Sequence, residues 1–190
     1  EEVDLLGAKA LDLSLLRARR VFVLDSDGAP GTLIVAAPTK KRLEVEFRGQ
    51  AAHAGIAPEQ GRNAIAAAAH AVAAMRLGRI DDESTTNVGV VRGGTAPNVV
   101  AERCAISGEI RSHDPEKAAA LAEETVHAAA SAAADAGVDV EVDVREAFRG
   151  YRHAPDSPLL AIGRWAAEHA GLEVREVAGG GGSDANVFNA

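Results

Sequence analysis

The stretch Gly49-Gln-Ala-Ala-His-Ala-Gly-Ile-Ala-Pro-Glu-Gln-Gly-Arg-Asn63 sets one histidine, His53, among small residues. Glycines and alanines on both sides leave its imidazole uncrowded and let a backbone or a substrate come close. A histidine placed for packing more often sits on an apolar face among large neighbours. Two further features have the chemistry for hydrolysis. The adjacent carboxylates Glu1-Glu2 must point in different directions, so one can ligate a metal while the other faces the bound water. A ligand beside a general base is what metal-assisted hydrolysis needs. An ordinary solvated pair is the bland reading of the same two residues. Asp25 closes the apolar run Val21-Phe-Val-Leu24, at the strand end where α/β sheets place ligands. It is equally a turn residue of Asp25-Ser-Asp-Gly28.

Asn98, in a Pro-Asn turn, and Arg111, at the close of a strand, form another group. A guanidinium suits two-pronged capture of a carboxylate, and a nearby amide could complete that clamp. A plain turn role for Asn98 and a surface ion pair of Arg111 with Glu109 or Asp114 are the competing accounts. Gly179-Gly-Gly-Gly-Ser-Asp184 offers exposed backbone N–H groups before a helix, suited to an anionic group. It lacks the lysine and spacing of a P-loop, which argues against nucleotide binding. There is no Gly-x-Ser-x-Gly elbow, and Cys104 lies mid-strand among apolar neighbours. Nucleophilic catalysis has no candidate.

Elements must hold these residues in place. Residues 42–48 alternate with a period of two, a half-buried strand, and 61–77 put Ile65, Ala68, Ala69, Val72 and Met75 at helical spacing. Strands are predicted at Thr86 to Val91 and Cys104 to Arg111, joined through Gly93-Gly-Thr-Ala-Pro-Asn98. Asp114-Pro-Glu116 starts an Ala-rich helix that Gly137 ends. Val138, Val140, Val142 and Val144 then alternate with charged residues. The order β-α-β-β-α-β is the ferredoxin-like pattern, with both helices on one face of the sheet and charged residues on the other. Outside 39–147, a helix from Leu5 to Leu16, a strand at Val21 to Leu24, a helix from Ser157 to Ala170 and a short strand near Val174 to Val177 suggest two segments of one α/β domain. The expectation is an α+β chain: a ferredoxin-like unit at 39–147 inserted between the segments 1–38 and 148–190. The start at Glu1-Glu2 and the stop just inside a helix opened by Ser183-Asp184 read as a piece of something longer.

Composition narrows the function further. Hydrophobic residues make up 47% and aromatics 3%, so the core is built from Ala, Val, Leu and Ile rather than aromatic anchors. A net charge of −8 opposes a nucleic-acid partner. No run approaches membrane-span length, and one cysteine fits a reducing compartment, so a cytoplasmic location is expected. The edge strand Thr86 to Val91 has few charges to blunt it, which favours pairing with a second copy into a homodimer.

Taken together, Gly49 to Ile65, Thr85 to Val100 with Gly108-Glu-Ile-Arg-Ser112, and Gly180-Gly-Gly-Ser-Asp-Ala-Asn186 resemble the dinuclear zinc metallopeptidases and amidohydrolases, most of all the peptidase T branch. Glu1 to Asp12 is similar to the family's Glu-Glu-x-Gly segment, with Asp4 where glycine is usual. The resemblance implies an α/β zinc-peptidase catalytic domain carrying a lid that dimerises, and a zinc exopeptidase (an aminopeptidase) acting on short peptides. It implies Glu1 as general base, Glu2 and Asp25 (with Asp27 as rival) as ligands of two zinc ions, and His53 as an oxyanion stabiliser reaching into the partner's active site. Asn98, Arg111 and Arg152 would bind substrate, and Gly181 and Gly182 would flank its backbone. The family's upstream His-x-Asp, bridging Asp and downstream His have no counterpart here, so this chain by itself is expected to bind no stoichiometric zinc and hydrolyse nothing. A deacylase of N-acyl amino acids in the same family is an alternative. A non-catalytic dimerisation or ligand-sensing module, with no membrane or nucleic-acid partner, is another.

Overall fold

The computed structural model describes residues 4–26 and 28–190. Three candidate residues, Glu1, Glu2 and Asp27, lie outside the described residues. In chain order the elements are α1 (Leu6–Ala10), β1 (Thr32–Ala37), β2 (Thr39–Arg48), α2 (Ala64–Ala74), β3 (Gly78–Arg79), β4 (Ser84–Gly93) and β5 (Arg103–Ser112). They continue with α3 (Pro115–Ala136), β6 (Asp139–Phe148), β7 (Tyr151–Arg152), α4 (Pro158–His169), β8 (Arg175–Ala178) and α5 (Asp184–Phe188). This α+β chain forms two compact units. One holds Lys41–Arg111 and Glu116–Glu146, and the other holds Ser112–Pro115, Ala147–Ala190 and the residues before Lys41.

The larger unit is a five-stranded sheet in the order β3-β4-β5-β2-β6. Alternation along β2 buries Leu43, Val45 and Phe47. Both helices supply the same core. Ala64, Ala67, Ala68, Ala71 and Met75 of the α2 segment join Ala129, Ala132 and Ala133 of α3 around those strand residues, Cys104 and Ile106. Each large aliphatic or aromatic side chain so buried contributes about 1.5–3 kcal/mol, and the alanines let the helices lie close. Asn63 caps α2 by accepting from the N–H groups of Ile65 and Ala66, worth about 1 kcal/mol. Gly137 ends α3 in a left-handed conformation (φ 63°), with the Val138 N–H reaching back to the Ala133 carbonyl. That closure is the common glycine-ended helix stop.

The opposite face of the sheet carries charges that pair across strands. Arg48 meets Glu141 at 2.8 Å and Arg103 meets Glu46 at 2.9 Å. Ser107 donates to Glu44 at 2.5 Å. Exposed pairs stabilise by only about 0–1 kcal/mol each, so their contribution is to the register of β5-β2-β6 more than to its strength. One expectation fails in this unit. Of the expected stripe Ile65, Ala68, Ala69, Val72 and Met75, Ala68 and Met75 are buried and Val72 packs against the core, whereas Ile65 is 41% exposed and Ala69 is exposed; Ala64, Ala67 and Ala71 complete the inward face.

The smaller unit is a three-stranded sheet in the order β7-β1-β8. β1 runs antiparallel to β7 (Ala36↔Arg152) and parallel to β8 (Thr32↔Arg175). The expected strand at Val21 to Leu24 makes no ladder among the described residues; Thr32–Ala37 takes the central position instead. A strand exists only where a neighbour accepts its backbone groups, and apolar composition alone does not supply one. The first helix is shorter than expected, ending at Ala10, with a separate 3-10 turn at Leu13–Leu15. Buried Asn186 ties this unit together, donating to the Arg149 carbonyl at 2.8 Å and the Pro38 carbonyl at 3.4 Å while accepting from Ser183 N–H. Among the described residues no helix is long and apolar enough to cross a membrane.

Candidate functional site

The larger unit presents His53 on a closed loop. Gly49 N–H donates to the Glu102 carbonyl at 2.8 Å, and Gln50 and Arg62 exchange two backbone hydrogen bonds of 2.9 Å that seal the loop's neck. A Cβ on Gly49 would fall 2.0 Å from the Arg62 carbonyl oxygen, and one on Gly61 would fall 2.8 Å from Val100. These two positions need glycine because backbone and side chain pass so near. Inside the loop the His53 carbonyl accepts from Ile56 and Ala57 N–H, and Ala54 N–H donates to the Asn98 carbonyl at 3.0 Å. The His53 ring is exposed, and its Nδ1 accepts from Gly55 N–H at 3.2 Å. Asn98 is therefore a neighbour of His53, joined to it through backbone.

Arg111 is not part of that group. Asn98 and the His53 loop sit at the Arg103 end of β5, where Gly49 bonds Glu102, whereas Arg111 is eight residues further along. At the rise of an extended strand that is about 26 Å. The expected clamp of Asn98 with Arg111 on one substrate is thus not formed within one unit, because the strand that carries Arg111 separates them. The Arg111 guanidinium lies against Glu109 at 2.8 Å.

In the smaller unit, Asp25, Tyr151 and Gly179 to Ser183 line a cleft of about 640 Å³ together with Ile34, Ala37 and Val177. The cleft brings Asp25, Gly181 and Gly182 together. Gly180 and Gly181 face open space, but a Cβ on Gly182 would meet the Phe148 ring at 2.2 Å. Gly182 is therefore fixed by packing. Arg152 follows Tyr151 on β7 and is not among the lining residues, as expected where successive strand side chains alternate. Tyr151 is a residue the sequence reading passed over. Burial pushes its hydroxyl above the usual tyrosine range, so it stays a neutral hydrogen-bonding group beside Asp25. As the only tyrosine in the chain, adjacent to Arg152 in Gly150-Tyr-Arg-His153, it could have been noticed. Asp4, in the place where glycine is usual, has φ 51°, a left-handed conformation that suits glycine, and its carboxylate pairs with Lys40 at 3.1 Å.

Among the described residues no three His, Cys, Asp or Glu side chains gather where a metal ion could be held. Asp25 alone does not meet the three protein ligands of a catalytic zinc site, so the described residues do not by themselves fit a zinc centre. A second concavity, of about 650 Å³ between α2 and α3, is lined by His70, Met75, Leu121 and His127 among others and holds none of the candidate residues.

The family model of the peptidase dimerisation domain (M20_dimer) matches residues 38–137, and the chain belongs to the M20 peptidase family. The uncharacterized protein YqjE of Bacillus subtilis is 42% identical over 188 residues, 99% of this chain and 51% of YqjE. An aminopeptidase PepT from Bacillus cereus superposes with a TM-score of 0.89 at 41% identity, over 100% of this chain and 51% of that one. A tripeptidase from Staphylococcus aureus gives 0.93 at 34% identity, over 100% and 50%. The chain thus spans about half the length of these relatives. Those relatives support a hydrolase as the whole protein, and the dimerisation domain supports self-association.

Proposed function

We propose that this chain supplies the lid and part of the catalytic domain of a zinc-dependent exopeptidase that cleaves short peptides as a homodimer. The likeness to an aminopeptidase and a tripeptidase supports the substrate class. The strand order β6-β2-β5-β4, with α2 and α3 sharing one core, supports the reading of 39–147 as a ferredoxin-like insert between catalytic segments 1–38 and 148–190. In that reading Glu1 is the general base, Glu2 and Asp25 are metal ligands, and Gly181 and Gly182 border the substrate backbone beside Tyr151. His53 Nε2 donates to the carbonyl oxygen as negative charge develops on it, and Asn98 steadies the loop that carries it. Arg111 helps bind the substrate, and Arg152 meets a substrate carboxylate.

The observation that carries the proposal is the separation of His53 from Arg111. A dipeptide spans about 7 Å when extended, far less than the ~26 Å of β5 between Arg103, at the end where the His53 loop attaches, and Arg111. Both can serve one substrate only if they come from two copies. The exposed stretch of β4 past Thr86, where β3 no longer covers its edge, offers the surface through which two copies would pair.

The test is complementation in the full-length parent. His53→Ala and Arg111→Ala should each abolish most tripeptide hydrolysis. Mixing and refolding them together should restore about a quarter of wild-type turnover, because half the dimers become mixed and each then holds one intact site. No recovery on mixing would defeat the two-copy site. Assay of the same parent on N-acetyl amino acids separates the peptidase from a deacylase.

A further inference from the structure

We infer that Gly55 decides which ring nitrogen of His53 carries the proton. The inference rests on the reading of His53 as an oxyanion donor and adds how that side chain is made ready. A backbone amide can only donate, and Gly55 N–H lies 3.2 Å from His53 Nδ1. Nδ1 must therefore offer its lone pair, and in a neutral imidazole the single proton then resides on Nε2. The nitrogen turned away from the loop is the donor. The opposite tautomer would present a lone pair at Nε2, which repels an oxyanion instead of binding it.

The frame that holds amide and ring together is local and closed. The His53 carbonyl accepts from Ile56 N–H at 3.2 Å and Ala57 N–H at 3.0 Å, so the turn that delivers the Gly55 amide begins at His53 itself. Ala54 N–H, between the two, is held by the Asn98 carbonyl. Flipping the ring would bring a carbon to the amide and lose the bond. The glycine side adds nothing steric: a Cβ there would stand 3.7 Å from His53 Cε1 and 3.8 Å from Nδ1, ordinary contact distances. Gly55 acts through its N–H, as a positioning residue that touches no substrate, and an alanine should do the same work. A proline, which has no N–H, should not.

The experiment is long-range ¹H–¹⁵N correlation NMR of the ¹⁵N-labelled 190-residue chain, read at a pH where the spectrum itself shows the His53 ring to be neutral. The shifts of Nδ1 and Nε2 report the tautomer directly. Wild type and Gly55→Ala should both hold His53 in the Nε2–H form to a greater extent than a histidine in a short unstructured peptide, and Gly55→Pro should fall back to the peptide's distribution. A peptide-like distribution in wild type, or a dominant Nδ1–H form, would overturn the inference whether or not the proline variant folds. So would a folded Gly55→Pro chain that keeps the wild-type pattern. Because the readout involves no turnover, a fixed tautomer beside a fully active His53→Ala parent would sink the oxyanion reading and leave this assignment standing.

Discussion

In the loop from Gly49 to Asn63 glycine lets two stretches of chain touch, whereas in the run from Gly179 to Gly182 half the glycines touch nothing. Gly49 and Gly61 are pressed against Arg62 and Val100, while Gly180 and Gly181 border an open cleft. The first loop is a frame that fixes one ring. The second leaves space for something else to lie against the backbone. Similar composition thus serves opposite ends, and only the neighbours of each Cβ direction tell them apart.

The sharpest way to break this contrast is to put an alanine into both. Gly49→Ala forces the neck of the loop apart and should cost about 3 kcal/mol, read as a lowered urea midpoint. Gly181→Ala should stay within about 0.5 kcal/mol of wild type. Equal losses would mean that the two loops do not differ as described. Next in size is Gly182→Ala, the most tightly packed glycine of the run. Its methyl must displace the Phe148 ring, and a loss of about 1–2 kcal/mol is expected in the same measurement. A value as small as that of Gly181 would place Gly182 with the open lining.

The smallest effect concerns the sheet that supports the first loop. Burial pushes the Glu44 carboxyl up, but the Ser107 hydroxyl and then Arg42 outweigh it, leaving Glu44 below the ordinary glutamate range. A depressed carboxylate contributes stability above its unfolded value and loses it as pH falls through the folded one. Ser107→Ala should therefore lower the denaturation midpoint slightly at neutral pH. The difference from wild type should close as pH falls through the depressed range of the folded Glu44 carboxyl. A gap that persisted in acid would assign the hydroxyl a packing role instead.

Much of the larger unit was legible in the chain itself, for physical reasons that can be named. Pro115 and Gly137 bound α3, like Ser157 and Ser183 at helices of the smaller unit, through local chemistry alone, and the alternation of β2 follows from one wet and one dry face. The failures fall where neighbours decide. Val21 to Leu24 looks as strand-like as Thr32–Ala37, yet only the latter finds partners in β7 and β8. Ile65 has the helical spacing of an inward residue of α2, yet it is exposed while Ala64, Ala67 and Ala71 face the core. For the candidate site, the His53 loop and the glycine run were visible as runs of small residues. That Asn98 belongs with His53 and not with Arg111 was not, since it depends on which end of β5 the loop reaches. Tyr151 entered only through the cleft it lines.

Cys104 is 1% exposed, burial pushes its thiol up, and a Cβ on Gly93 would stand only 2.9 Å from its sulfur. The native chain therefore offers alkylating and spin-labelling reagents no accessible thiolate. A single cysteine introduced at Ile56, which is 78% exposed and three residues from His53, would carry a probe without background. Two such probes in an assembled pair would measure directly how far apart the loops of neighbouring copies stand.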